Sequence, residues 1–364
     1  MTLLPVVFLS AILGLAASPC LLADDSAAAI AAGGLVPRRE TRIVMAKEVL
    51  RIGLKKIVVD YDFRNDSDHD VTTEVAFPVP PYRYDAVAGN IAEQSFSDFK
   101  LFINGKPAQF KTEVKATLNG QDVTGVLVAD KIDIASFGHT DESATDETGG
   151  NYPVRDLIRL PKAEQEQLKA WGLFNLDEGF PLASWAVHLQ YHWRQVFPAH
   201  STTHIRHEYS PIVGSKSISP SPEVLTLADH THRHQRYEAK LDGSDRDDLN
   251  FLVSFCPDEP ALHELASARV HFDWNGRRDV ALEPYWVDFI LTSANTWQRP
   301  IEDFTLIIER SFFDNRWSLI SFCSPGNGKV EQLDSDHVQV HLTDFVPWSE
   351  LHIGFFPVLK TKPQ

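Results

Sequence analysis

Histidine is the residue type best placed to do chemistry in this sequence, with 15 copies in 364 residues. His230, His232 and His234 fall within DHTHRH. On an extended segment, side chains two apart share a face, and neutral imidazole nitrogens suit zinc, copper or nickel, so two of the three could hold one ion. These are the candidate metal ligands. Against them stands a Ser/Pro-rich neighbourhood with no second ligand motif, where a solvated polar loop is the commoner outcome. His188 and His192 have the spacing of a helical metal pair, but on a strand four residues span about 13 Å, too far for one zinc ion. His207-Glu208 and His263-Glu264 lack the second histidine that a zinc-protease helix needs.

Acidic groups and nucleophiles offer less. Asp66, Asp68 and Asp70 imitate the first calcium-loop positions, but Val71 stands where the loop needs glycine and Phe77 where it needs glutamate. Asp242, Asp245, Asp247 and Asp248 read as a solvated charge run rather than a cation site. Ser97 and Lys100 match the S-x-x-K spacing but enter an expected strand, without the companion motifs of penicillin-binding enzymes. Gly326-Asn327-Gly328 is a turn rather than a nucleotide loop. No catalytic residue and no cofactor are indicated. Eight Trp and eight Tyr could stack on sugars or form an interface, but Trp185 and Trp193 fall on an expected core face. Trp171, Trp297 and Trp348 lie near expected turns, where exposure competes with partial burial.

The elements that must position these residues belong to a folded, acidic chain: 43% of residues are hydrophobic, and 34 Lys+Arg face 50 Asp+Glu for a net charge of -16. Such a charge makes nucleic acid or an anionic membrane surface a poor partner. Residues 1–23 read as a signal peptide, because Leu3 to Ala23 is uncharged and apolar, interrupted by Pro5, Gly14 and Pro19, with small residues before Asp24. The basic start of such a signal is missing, so a retained anchor is the competing reading. Pro19 before Cys20 argues against a lipoprotein. The expectation is a periplasmic or secreted protein with no membrane span after cleavage. Its remaining cysteines, Cys256 and Cys323, are then most simply a disulfide, with two buried thiols as the alternative.

Alternation predicts strands. Ile57, Val59, Tyr61 and Phe63 share one face, a polar turn follows at residues 65–70, and Val71 to Phe77 resumes until Pro78, Pro80 and Pro81 stop it. Phe99 to Asn104 and Ala108 to Leu118 form a further pair around Gly105. Residues 119–184 change character: His139 to Asn151 is expected to be a mobile loop, and a short helix follows Pro161. Trp185, Val187, Leu189, Tyr191 and Trp193 then line one face of a strand, and Thr203 to Tyr209 is expected to return beside it as a hairpin. SKSISPSPE reads as a linker. Beyond it lie a short helix near Glu259 to Leu265 and candidate strands at Tyr285 to Thr292, Asp303 to Glu309, Trp317 to Phe322, His337 to Leu342 and Glu350 to Phe356. The expected fold is mainly β, with two β-sandwich-like domains: 24–215, carrying a loop-and-helix insertion at about 119–184, and 216–364, carrying the disulfide.

Several blocks, VVDYDFRNDSDHDVTTEVAFPVP, HWRQVFPAHSTTHIRHEYSPIVG, FILTSANTWQRPIEDFTLIIE and LISFCSPG, resemble the bacterial exported proteins of domain-of-unknown-function family 4424 over nearly the whole mature chain. That resemblance implies that Cys256 and Cys323 are the family's recurring pair, and it carries no settled activity. A slighter similarity is to the vault/inter-alpha-trypsin module, through Arg64-Asn65-Asp66-Ser67, Phe77-Pro78-Val79-Pro80 and Phe197-Pro198. In proteins with that module, binding and assembly predominate over catalysis.

The function expected from the sequence is therefore a non-catalytic binding or assembly module of the cell envelope, with an envelope protein or a glycan as partner. Two alternatives stand beside it: a metal-binding or metal-dependent protein centred on His230, His232 and His234, and a hydrolase whose site is assembled from distant loops.

Overall fold

The computed structural model describes residues 26–31, 34–83, 98–135, 155–177, 180–229, 235–236, 239–267, 270–274, 277–313 and 316–359. The chain is mainly β, with several sheets and few helices, as the alternating pattern predicts. The signal expected at residues 1–23 and the loop expected at residues 139–151 lie outside the described residues. Among the described residues no helix is long and apolar enough to cross a membrane.

Two large sheets face each other. The seven-stranded sheet is centred on Ala186–Phe197, flanked by Lys111–Leu118 and Val71–Pro78; the eight-stranded sheet has Ile43–Ile52, Ile57–Asn65 and Ser201–Tyr209 at its middle. Their inner faces are the alternating residues read from the sequence: Ile57, Val59, Tyr61 and Phe63 from one sheet and Val187, Leu189, Tyr191 and Trp193 from the other are buried. Rings meet across the interface, Phe99 on Tyr191 at 3.9 Å and Phe63 on Phe197 at 5.7 Å between centroids. Burying such apolar area is the main stabilising term of a sandwich.

The expected hairpin from residue 185 to 209 does not form. Ala186–Phe197 and Ser201–Tyr209 lie in opposite sheets, and so do Ile57–Asn65 and Val71–Pro78. Each turn carries the chain across the sandwich, and the two crossings run side by side, because Phe197 pairs with Val71 in one sheet and Ser201 with Asn65 in the other. Turn residues look alike in both cases; which neighbour accepts the backbone bonds decides between a hairpin and a crossing, and that is a long-range choice. Similarly, Lys100–Ile103 makes its hairpin with Lys106–Pro107 in the eight-stranded sheet, whereas Lys111–Leu118 joins the other sheet.

The boundary expected at 215/216 does not separate the sheets. Ile301–Glu309 runs parallel to Ile43–Ile52 in the eight-stranded sheet, with His337–Phe345 beyond it, and Trp297 packs on Phe63 at 4.6 Å. The main core accordingly draws on residues from Ala27 to Phe355. A five-stranded sheet of Val213–Ser215, Tyr285–Phe289, Leu351–Leu359, Arg316–Phe322 and Phe312–Phe313 completes the β architecture, apart from two hairpins of two strands each.

The segment expected to be a linker is instead structural. Ser221 caps the helix Pro222–Ala228 by accepting from the Val224 amide, and Asp242 caps the helix Gly243–Val253 by accepting from the Asp245 amide at 2.9 Å. These helices, with Glu259–Ser267, cover the five-stranded sheet through Leu252, Phe255, Leu282 and Phe356. The insertion at 119–184 has its own core, where Leu127, Leu157 and Leu168 pack against Trp185 and Val187. Its helix Lys162–Ala170 matches the expectation, and it also carries the hairpin Phe174–Asp177 with Phe180–Ala183. Cys256 and Cys323 form the expected disulfide, with Cα atoms 4.9 Å apart.

Candidate pocket at the junction of three sheets

At the end of the sandwich opposite the paired crossings, the strands stop at prolines. Val71–Pro78 runs into Pro80 and Pro81, which have no amide hydrogen to continue a ladder, and Ser201–Tyr209 stops just before Pro211. After these stops the chain resumes strand pairing as Tyr82–Arg83, on the seven-stranded sheet, and as Val213–Ser215, on the five-stranded sheet. The space left between the three sheets is a pocket of about 170 Å³.

Aromatic and apolar groups make its walls. Tyr82, Tyr209 and Trp286 line it together with the prolines, Val79 and Ile212. Tyr82 and Tyr209 are buried, and Tyr209 meets Phe77 edge-on at 5.4 Å, so its ring is held from the core side. Burial, with some help from the Asp133 carboxylate, holds the Tyr82 phenol well above its ordinary pKa. Trp286 lies flat over Gly214, its cross-strand partner: a β-carbon there would stand 2.0 Å from the indole, so only glycine admits the ring in this position.

Two charged residues of opposite sign also line the pocket, Arg83 and Asp288. The Asp288 carboxylate is engaged from behind by the His352 ring at 2.5 Å, and His352 stacks on Phe255, 4.1 Å away and tilted by 16°. Phe255 precedes the disulfide-bonded Cys256 and contacts Phe251, which packs against Trp286 at 5.5 Å. The disulfide thus anchors the layer that backs both Trp286 and Asp288.

The described residues among those singled out from sequence fall elsewhere. His230, His232 and His234 lie outside the described residues, as does Ser97. Among the described residues no group of three or more His, Cys, Asp or Glu is arranged to hold a metal ion. His188 bonds Thr117 and His192 bonds Glu74, each on its own partner, as strand spacing requires. Asp66, Asp68 and Asp70 serve the crossings: Asp66 pairs with Arg64, Asp68 with His200, and Asp70 accepts from the Ala199 amide. Within the expected charge run, Asp248 is buried and accepts from the Ser219 amide, and its burial raises its pKa. Trp297 is buried, whereas Trp171 and Trp348 are exposed.

His207 is the most altered histidine among the described residues. It is fully buried among Tyr61, Phe77, Phe99 and Trp193, at centroid distances of 4.8 to 5.5 Å, and this desolvation lowers its pKa to about 3. Its place on the inner face was legible in the alternation of residues 203 to 209. The pocket was not read from sequence, although its signals were present in the proline stops after residues 77 and 209 and in Trp286 on an expected strand.

No curated protein matches this chain. Among solved structures, it is similar to that of a "putative nutrient binding protein" from Legionella pneumophila subsp. pneumophila, with 14% identity, a TM-score of 0.37, and coverage of 88% of this chain and 69% of that one. A likeness of that order carries no conclusion about function. The family description "Domain of unknown function (DUF4424)" matches residues 23–353, and the chain belongs to that family.

Proposed function

We propose that this protein is a non-catalytic binding module of the cell envelope and that the pocket between the three sheets is its ligand site. The observation that carries this reading is the pocket's composition: three aromatic rings and three prolines on rigid strand ends, with one Arg and one Asp in the same lining. Pockets of that make-up, mostly apolar with a few placed polar groups, are typical of small-molecule sites. The envelope address is supported by the apolar Leu3 to Ala23 stretch and by the Cys256–Cys323 disulfide, a bond that persists in oxidising compartments.

Native mass spectrometry tests the proposal on protein isolated from its own cells without a denaturing step. The wild type is expected to carry a small molecule that is released on unfolding. Gly214→Ala, which displaces Trp286, is expected to be isolated largely without it. A wild type isolated bare, or a variant that retains the same adduct, would contradict the assignment.

A further inference from the structure

The pocket's charges and rings together narrow the ligand class, an inference that rests on the ligand-site reading above. A volume of about 170 Å³ is close to the ~150 Å³ cavity that admits benzene, so the enclosed part accepts one ring or one compact branched group. Three aromatic residues and a carboxylate line that space, in a chain whose net charge is -16. Aromatic faces attract cations through their quadrupoles, most strongly when the cation sheds little hydration on entry, which favours alkylated ammonium over a bare ammonium ion. Asp288 adds a formal negative charge on the same side as Trp286, being two residues along the same strand, Tyr285–Phe289, so both side chains leave the same sheet face. Arg83 supplies the opposite sign from another sheet, which a simple cation does not use but a ligand with an anionic end does.

We propose that the pocket binds a small zwitterion, with an alkylated ammonium group against Tyr82, Tyr209, Trp286 and Asp288 and a carboxylate or phosphate directed to Arg83. A ligand with one cationic and one anionic end matches the one Asp and one Arg of the lining. His352 has a defined part in this arrangement: its hydrogen bond to one Asp288 oxygen holds the carboxylate in orientation, while the stacked Phe255 holds the imidazole.

Calorimetric titration of the full folded chain with glycine betaine, phosphocholine, choline and 3,3-dimethyl-1-butanol, the uncharged carbon counterpart of choline, decides the matter. Glycine betaine or phosphocholine should bind most tightly, choline less so, and the neutral alcohol about tenfold or more weaker than choline, as expected for a desolvated cation on aromatic faces. Asp288→Asn, which keeps an acceptor for His352, should weaken all three ammonium ligands several-fold. Arg83→Gln should weaken glycine betaine and phosphocholine but leave choline unchanged. Binding of the alcohol as tightly as choline, or an Arg83→Gln effect equal on all ligands, would overturn the proposal. If none of the ammonium compounds binds although protein from its own cells carries an adduct lost in Gly214→Ala, the ligand class is wrong and the site stands; if neither binding nor an adduct is seen, both fail.

Discussion

The two ends of the sandwich are built from the same strands and differ in what their side chains contact. At the crossing end, polar groups satisfy one another: the buried Asn65 amide donates to the carbonyls of His69 and Phe197, each at 2.9 Å, while its oxygen accepts from the Ser67 amide and hydroxyl. One side chain therefore ties both turns together. At the pocket end the same strands terminate in prolines and aromatic rings that line a pocket. A hydrogen-bonded corner fixes which sheet each strand enters; an apolar, proline-stopped corner leaves a concave surface that the rest of the fold holds in place. The difference is that the crossings are tied by hydrogen bonds between the two sheets, whereas the opposite end leaves the pocket to which recognition is assigned in the proposal.

The largest expected effect concerns the layer behind the pocket. Replacing Cys256 and Cys323 together by serine opens a loop with a sequence separation of 67, and should lower stability by about 4 kcal/mol in the chain-entropy treatment, read as a shift in the urea midpoint. If the comparison holds, ligand affinity falls as well, because Phe255 no longer fixes His352. Next comes the crossing end, where Asn65→Ala takes the side-chain donor from the buried Phe197 carbonyl and the part-buried His69 carbonyl and should cost about 2 kcal/mol. Its signature is a loss of stability with ligand affinity unchanged in the folded fraction; a comparable loss of affinity would merge the two ends into one cooperative unit.

His207, in the core between the ends, gives a pH-dependent term. Its pKa is lowered from the usual 6.5 to about 3, so the stability associated with its neutral form is complete above the unfolded value near 6.5 and is lost as pH falls toward 3. At pH 5.5 the loss amounts to about 1 kcal/mol. His207→Phe should remove that part of the acid sensitivity, measured as the difference in urea midpoints between neutral and mildly acidic buffer. An identical pH dependence in wild type and variant would show that other titrating groups account for all of it.

Much of the fold was legible because alternation reports local burial. The run Trp185, Val187, Leu189, Tyr191 and Trp193 reads as an inner face, and all five side chains are buried. The disulfide was legible from cysteine count and expected address. What the pattern does not encode is partner choice: the Phe197-Pro198-Ala199-His200 turn serves a hairpin as well as a crossing, and the pairing of Ile301–Glu309 with Ile43–Ile52 joins segments some 250 residues apart. The helix Gly243–Val253 was hidden for a different reason. Its Asp242 and Asp248 resemble a solvated run until one is seen as a cap and the other as the acceptor for the Ser219 amide. The pocket required knowing that strand ends from three sheets converge, so its residues, scattered from Val79 to Asp288, share no motif.

The central claim, that recognition belongs to the proline-stopped end, is tested most directly by following the eight tryptophan indole N–H signals in a nitrogen-15 spectrum while glycine betaine is added. The account predicts a saturable shift of the Trp286 signal, with those of the exposed Trp171 and Trp348 unmoved. A shift confined to Trp348 or Trp171, with Trp286 unaffected, would place recognition elsewhere on the molecule and contradict it.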